Sequence, residues 1–70
     1  MVDQLEEVAV VRIGAEWRVV TRAQRSGPYA YRVDAEEAAL QLCRKVRTNG
    51  GAARLLVQDP TGELLTWPIQ

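Results

Sequence analysis

Apolar side chains recur along this chain at two spacings, every second residue in some stretches and every third or fourth in one. Val8-Ala9-Val10-Val11-Arg12-Ile13 is short and rich in β-branched residues, which predicts a strand. Gly14-Ala15 follows as a two-residue turn, where glycine supplies the positive φ of a tight hairpin. Glu16 to Arg22 alternates as a second strand, and the short loop sets Arg12 opposite Trp17 and Val10 opposite Val19. One face of this hairpin then carries Val8, Val10, Trp17 and Val19, with Arg12 at its rim. The other carries Ala9, Val11, Ile13, Arg18, Val20 and Arg22.

The middle of the chain changes period. Asp34 is the expected N-cap of a helix, with Glu37 three residues on completing a capping box. Ala35, Ala38, Ala39, Leu42, Cys43 and Val46 fall on one side at helical spacing. Glu36 and Glu37 near the start and Arg44, Lys45 and Arg47 near the end suit the helix dipole, and Asn49-Gly50-Gly51 stops the helix. Leu40 falls on the polar side, where a single exposed leucine is ordinary.

Arg54 to Gln58 reads as a third strand, Asp59-Pro60-Thr61-Gly62 as a type I turn, and Glu63 to Ile69 as a fourth strand. That turn pairs Val57 with Leu64 and Leu56 with Leu65, and Pro68 marks a sheet edge. Between the first hairpin and the helix, Ser26-Gly27-Pro28 interrupts regular structure. Two alternatives stand for residues 23–33: a brief extension of the sheet at Tyr29-Ala30-Tyr31, or a segment folded over an open sheet face. The expectation is therefore one α+β domain over 1–70, ββαββ in order. Its antiparallel sheet of two hairpins has one amphipathic helix packed on one face, with disorder expected in residues 1–7.

Composition sharpens this. A chain of 70 residues with 47% hydrophobic and 26% charged content has the balance of a folded globule. A core this small rarely contributes more than about 3–5 kcal/mol, so small domains lean on disulfides, metals, association or unusually good packing. Cys43 is the sole cysteine, which excludes an internal disulfide, and the absence of histidine removes the usual zinc and copper ligand sets. It also removes Ser-His and Cys-His nucleophilic mechanisms. No enzyme and no cofactor is expected, and self-association or a bound partner remains. Formal net charge is zero, so no global field draws in nucleic acid or an anionic membrane. The acidic start lacks signal-peptide character and no apolar run reaches membrane-spanning length, which makes a cytoplasmic protein the expectation.

A single helix can shield only one face of a sheet. With Trp17 and Val57 on the helix side, Val11, Ile13, Val20, Leu56, Leu65 and Trp67 are left as a candidate interface, most simply for a homodimer. A one-residue register slip, which would swap faces in one hairpin, is the competing account. The alternative function is nucleic-acid binding through Arg18, Arg22, Arg25 and Arg32, with Tyr29 and Tyr31 available to stack on bases. Against it, Glu6, Glu7 and Glu16 dilute the positive charge. Lys45 is the one lysine among nine basic residues, a bias that base composition of the genome would also produce. Cys43 is expected to be a small buried helix residue. Glu36 and Glu37 are consecutive and do not share a face as a catalytic pair would.

Trp17-Arg18-Val19, Arg25-Ser26-Gly27, Glu37-Ala38-Ala39 and the stretch from Leu55-Leu56-Val57 to Gly62-Glu63-Leu64 resemble a family of short bacterial domains of unknown function. That family's pattern is W-x-V, an E-A helix and a final hairpin with a glycine-centred turn. The resemblance covers Val8 to about Trp67 and departs at Thr61-Gly62, where the family often has Asp-Gly. It implies a ββαββ fold and supplies no catalytic residue, cofactor or ligand.

Overall fold

A computed structural model describes residues 5–22 and 24–67. They form β1 (Leu5–Ile13), β2 (Glu16–Val20), β3 (Arg25–Tyr29), α1 (Arg32–Thr48), β4 (Ala52–Gln58) and β5 (Leu64–Trp67). The protein is α+β, with one helix on one face of a five-stranded sheet ordered β3-β2-β1-β4-β5. The order along the chain is thus βββαββ, not ββαββ. Residues 25–29 extend the sheet and do not cover its free face. Strand β1 starts at Leu5, so Leu5 to Glu7 belong to the sheet, while the rest of the disorder expected over residues 1–7, at 1–4, lies outside the described residues.

The third strand changes more than a count. With three strands before the helix, the chain enters α1 at the Gly14-Ala15 end of the sheet. The 17-residue helix carries it back about 25 Å to the opposite end. Strand β4 therefore leaves parallel to β1, pairing Val8 with Leu55 and Val10 with Val57. Two strands before the helix would have made that central pairing antiparallel. The sheet is mixed, with antiparallel pairs β1–β2, β2–β3 and β4–β5 around the parallel one.

The first hairpin has the pairing its two-residue loop requires: Val10 faces Val19 and Arg12 faces Trp17, with Gly14 at φ +64°. Strand β3 follows β2 through an irregularity between Trp17 and Val19, where Trp17 meets Tyr29 and Val19 meets Ser26. Gly27 sits there at φ +118°, and a Cβ on it would lie 3.0 Å from the Trp17 carbonyl oxygen. Only glycine fits this position without strain.

The second hairpin departs from expectation by one residue. The turn at Asp59–Gly62 forms, with the Gly62 N–H donating to the Asp59 carbonyl at 2.9 Å. Gly62 then takes φ +91° and adds a residue on the β5 side, so the Asp59 N–H donates to the Glu63 carbonyl at 2.8 Å. This is a type I turn followed by a left-handed glycine, a recognised three-residue hairpin loop. Val57 therefore pairs with Leu65, Gln58 with Leu64 and Leu55 with Trp67. A one-residue shift exchanges faces. Leu65 and Trp67, expected on the open face, lie on the helix side, and Leu64 takes the open-face place. Strand β5 is a sheet edge, while Pro68, the residue that suggested an edge, lies outside the described residues.

Helix α1 begins two residues before the expected cap. Tyr31 is extended (φ −122°, ψ 143°) and provides no side-chain cap; Asp34 lies within the first turn. The added residues are held by Arg32, whose Nε donates to Glu36 Oε2 at 2.6 Å one turn along. At the other end the Gly51 N–H donates to the Val46 carbonyl and the Gly50 N–H to the Arg47 carbonyl, with Gly50 at φ +88°. That is a Schellman closure.

Ala35, Ala39 and Cys43, four residues apart, are the buried stripe of the helix. Their small side chains let it settle onto Val8, Val10, Val19, Leu55 and Val57, and these eight residues are the core. Trp17, Tyr29, Leu40, Leu42 and Trp67 pack around its perimeter. Leu40 is thus a core-flanking residue and not a side chain on a polar face. Burying each valine or leucine contributes about 1.5–3 kcal/mol, so the sheet's contribution outweighs that of the small helix residues.

Candidate functional site

The face of the sheet away from α1 is built by alternation. In β1 the side chains of Leu5, Glu7, Ala9, Val11 and Ile13 point to it, opposite the buried Val8 and Val10. The register places Val20 and Leu56 on either side of Ala9, and Arg18 beside Val11. On β4 and β5, Leu56 pairs with Thr66 and Gln58 with Leu64. Ala9 is the smallest of these side chains, at the centre of the central strand. Its neighbours therefore stand above it and leave a depression of about 280 Å³, walled by Leu5, Val20, Leu56 and Leu64 with Thr21 and Arg22 at one rim.

Four of the six expected interface residues share this face: Val11, Ile13, Val20 and Leu56. The other two, Leu65 and Trp67, are on the helix side for the register reason above. Two residues that sequence reasoning missed complete the surface. Leu64 is 44% exposed and Leu5 is 43% exposed, and Ile13 at the far end of β1 is 53% exposed. Leu5 stands at the same parity as Ala9 and Val11, a signal hidden by its acidic neighbours. Leu64 was concealed by the turn's extra residue.

Charges on this face are largely neutralised within it. Arg54 reaches Glu7 at 3.1 Å across the parallel pair, and Arg18 reaches Glu16 at 3.3 Å along β2. These exposed pairs contribute little stability, about 0–1 kcal/mol each. Their effect is to close four charges within the face, to which Arg22 and Arg25 add positive charge at the β2–β3 border.

The six residues proposed for nucleic acid do not come together. Arg18 and Arg25 are on the open face and Arg22 is at its rim. Tyr29 pairs with Trp17 and packs against the core on the opposite face, Tyr31 stands exposed before the helix, and Arg32 is its first residue. The Arg32 guanidinium carbon lies 5.8 Å from the Trp17 ring centroid and 5.9 Å from that of Trp67, in the range of a cation–π contact. Arg32, with Arg12, Trp17, Gln58 and Asp59, lines a second cleft of about 280 Å³ at the turn end of the helix side. Gln58 closes that corner, accepting from the Arg12 N–H at 2.7 Å and donating to the Gly62 carbonyl at 3.1 Å.

Two groups have shifted acidities. Burial pushes the Cys43 thiol above its ordinary value, against an opposing pull from Arg47. Asp59 is held below the usual carboxylate range by the Thr61 hydroxyl and then by the Glu63 N–H. Neither lies on the open face, and among the described residues no three His, Cys, Asp or Glu side chains cluster as metal ligands. Comparison with protein-family models, with curated proteins and with solved structures found no match.

Proposed function

We propose that this domain is a non-enzymatic interaction module that forms a homodimer through the helix-free face of its sheet. The observation that carries the reading is the depression over Ala9, walled by Leu5, Val20, Leu56 and Leu64, on a face no part of the described chain covers. Removing a few hundred Å² of such surface from water is worth several kcal/mol at about 25 cal/mol per Å², before the cost of association. In a domain whose core includes two alanines and a cysteine among eight residues, that gain is comparable to the whole folding stability. A second copy suits the face because formal net charge is zero and two ion pairs are already closed within it.

Sedimentation of the wild type and of Leu56→Glu tests the proposal. A wild-type assembly whose mass halves on substitution, with the fold kept, supports it. A wild type that stays monomeric at high micromolar concentration overturns it, and so does an unchanged mass for Leu56→Glu. Salt-sensitive binding of an oligonucleotide by a monomer would favour the competing nucleic-acid reading.

A further inference from the structure

The two edges of the sheet are unlike one another. Strand β3 carries Arg25, Gly27 at φ +118° and Pro28, and its register is broken opposite Trp17 and Val19. These are the features by which edge strands resist pairing. Strand β5, Leu64-Leu65-Thr66-Trp67, has no charge, no proline and no glycine. Its hydrogen-bonding pattern can be read from the turn. Asp59 and Glu63 form a hydrogen-bonded pair, so alternation makes Val57–Leu65 and Leu55–Trp67 the next such pairs. The N–H and C=O groups of Leu64 and Thr66 consequently point away from β4, toward an edge that no described strand pairs with.

We propose that β5 is a strand-pairing edge whose partner is β5 of a second copy, antiparallel, about a two-fold axis through Leu65. In that register Leu64 of each copy exchanges two backbone hydrogen bonds with Thr66 of the other, and the two Leu65 side chains meet as a non-hydrogen-bonded pair. No like charges are set opposite one another, because Glu63 faces Trp67 of the second copy. The contact also covers Leu65, 45% exposed beside Trp67 on the helix side, which the homodimer proposed above leaves in water. Two five-stranded sheets join edge to edge as one. This contact goes beyond the face-to-face reading. Its axis is normal to the sheet, whereas a face-to-face axis runs parallel to it between the two copies, so one copy can make both contacts at once, and the pair closes a D2 tetramer where the two axes intersect.

Cross-linking at the axis tests the edge directly. Non-hydrogen-bonded strand partners have Cα atoms about 4.5 Å apart, within disulfide reach. Leu65→Cys is therefore expected to form a disulfide-linked dimer under mild oxidation at least tenfold faster than Ala15→Cys in the exposed turn at the other hairpin. Equal rates would overturn the inference. Thr66→Pro, which removes an amide turned away from β4, is expected to halve the sedimenting mass with an unchanged circular dichroism spectrum. A folded Thr66→Pro protein of unchanged mass overturns the edge contact and leaves the face contact intact. The reverse pattern, with only Leu56→Glu unchanged, removes the face reading and leaves this one.

Discussion

The Arg32 guanidinium carbon lies 5.8 Å from the centroid of the Trp17 ring, which ties the first residue of the helix to the second strand. The same guanidinium lies over Trp67 on the far edge and pairs with Glu36. One side chain thus links three elements around the rim of a small core. Each exposed cation–π contact is worth about 0.5–1 kcal/mol and the helix pair about 0.3–0.5 kcal/mol. Arg32→Ala is expected to lower stability by about 1–2 kcal/mol in urea unfolding, and Arg32→Lys by less. An Arg32→Ala midpoint equal to wild type would show the contacts to be energetically idle.

Gly27 and Gly14 both have positive φ but should differ in tolerance. Alanine at Gly14 meets nothing within 4 Å and bears only the left-handed penalty, about 1–2 kcal/mol. Alanine at Gly27 adds a 3.0 Å approach to the Trp17 carbonyl oxygen, so the strain should reach about 3 kcal/mol or more. Thermal unfolding should rank wild type above Gly14→Ala and Gly14→Ala above Gly27→Ala. A reversed order of the two variants would refute the β2–β3 geometry.

Asp59 stabilises its turn as a carboxylate. Its Oδ1 accepts from the Thr61 N–H, the Thr61 hydroxyl and the Glu63 N–H at 2.9, 2.6 and 3.0 Å. Its pKa is lowered from 3.8, so its contribution is present above that pH and is lost as pH falls through the lower folded value. Asp59→Ala should be less stable than wild type at neutral pH and should show a shallower loss of stability below about pH 4. Parallel acid limbs in urea titrations of the two proteins would count against this role.

Cys43 is buried and its thiol is shifted up from 9.0. The unfolded chain therefore releases this proton first, and stability should fall as pH rises through the unfolded value toward the folded one. Cys43→Ala should flatten that alkaline limb. A disulfide reagent should react with native Cys43 only at the rate of unfolding. Labelling at the rate of a free peptide thiol would contradict the burial.

Elements that depend on neighbours in the chain were legible without coordinates. The two-residue Gly14-Ala15 loop specifies the Val10–Val19 pairing by itself, and the spacing of Ala35, Ala39 and Cys43 specifies the buried side of the helix. Four members of the open face, Val11, Ile13, Val20 and Leu56, follow from the same local parity.

Tertiary structure decided what local pattern does not encode. Strand β3 exists because Val19 and Val20 provide a ladder for Ser26 and Arg25, residues with little strand preference of their own. That strand in turn sets the parity that makes β4 parallel to β1. The faces of Leu64, Leu65 and Trp67 hinge on a left-handed glycine at Gly62, because a turn longer by one residue exchanges the face of every side chain beyond it. Short-range sterics and hydrogen bonding are written in adjacent residues. Which strand lies beside which, and which side meets the helix, is settled only when distant segments compete for the same core.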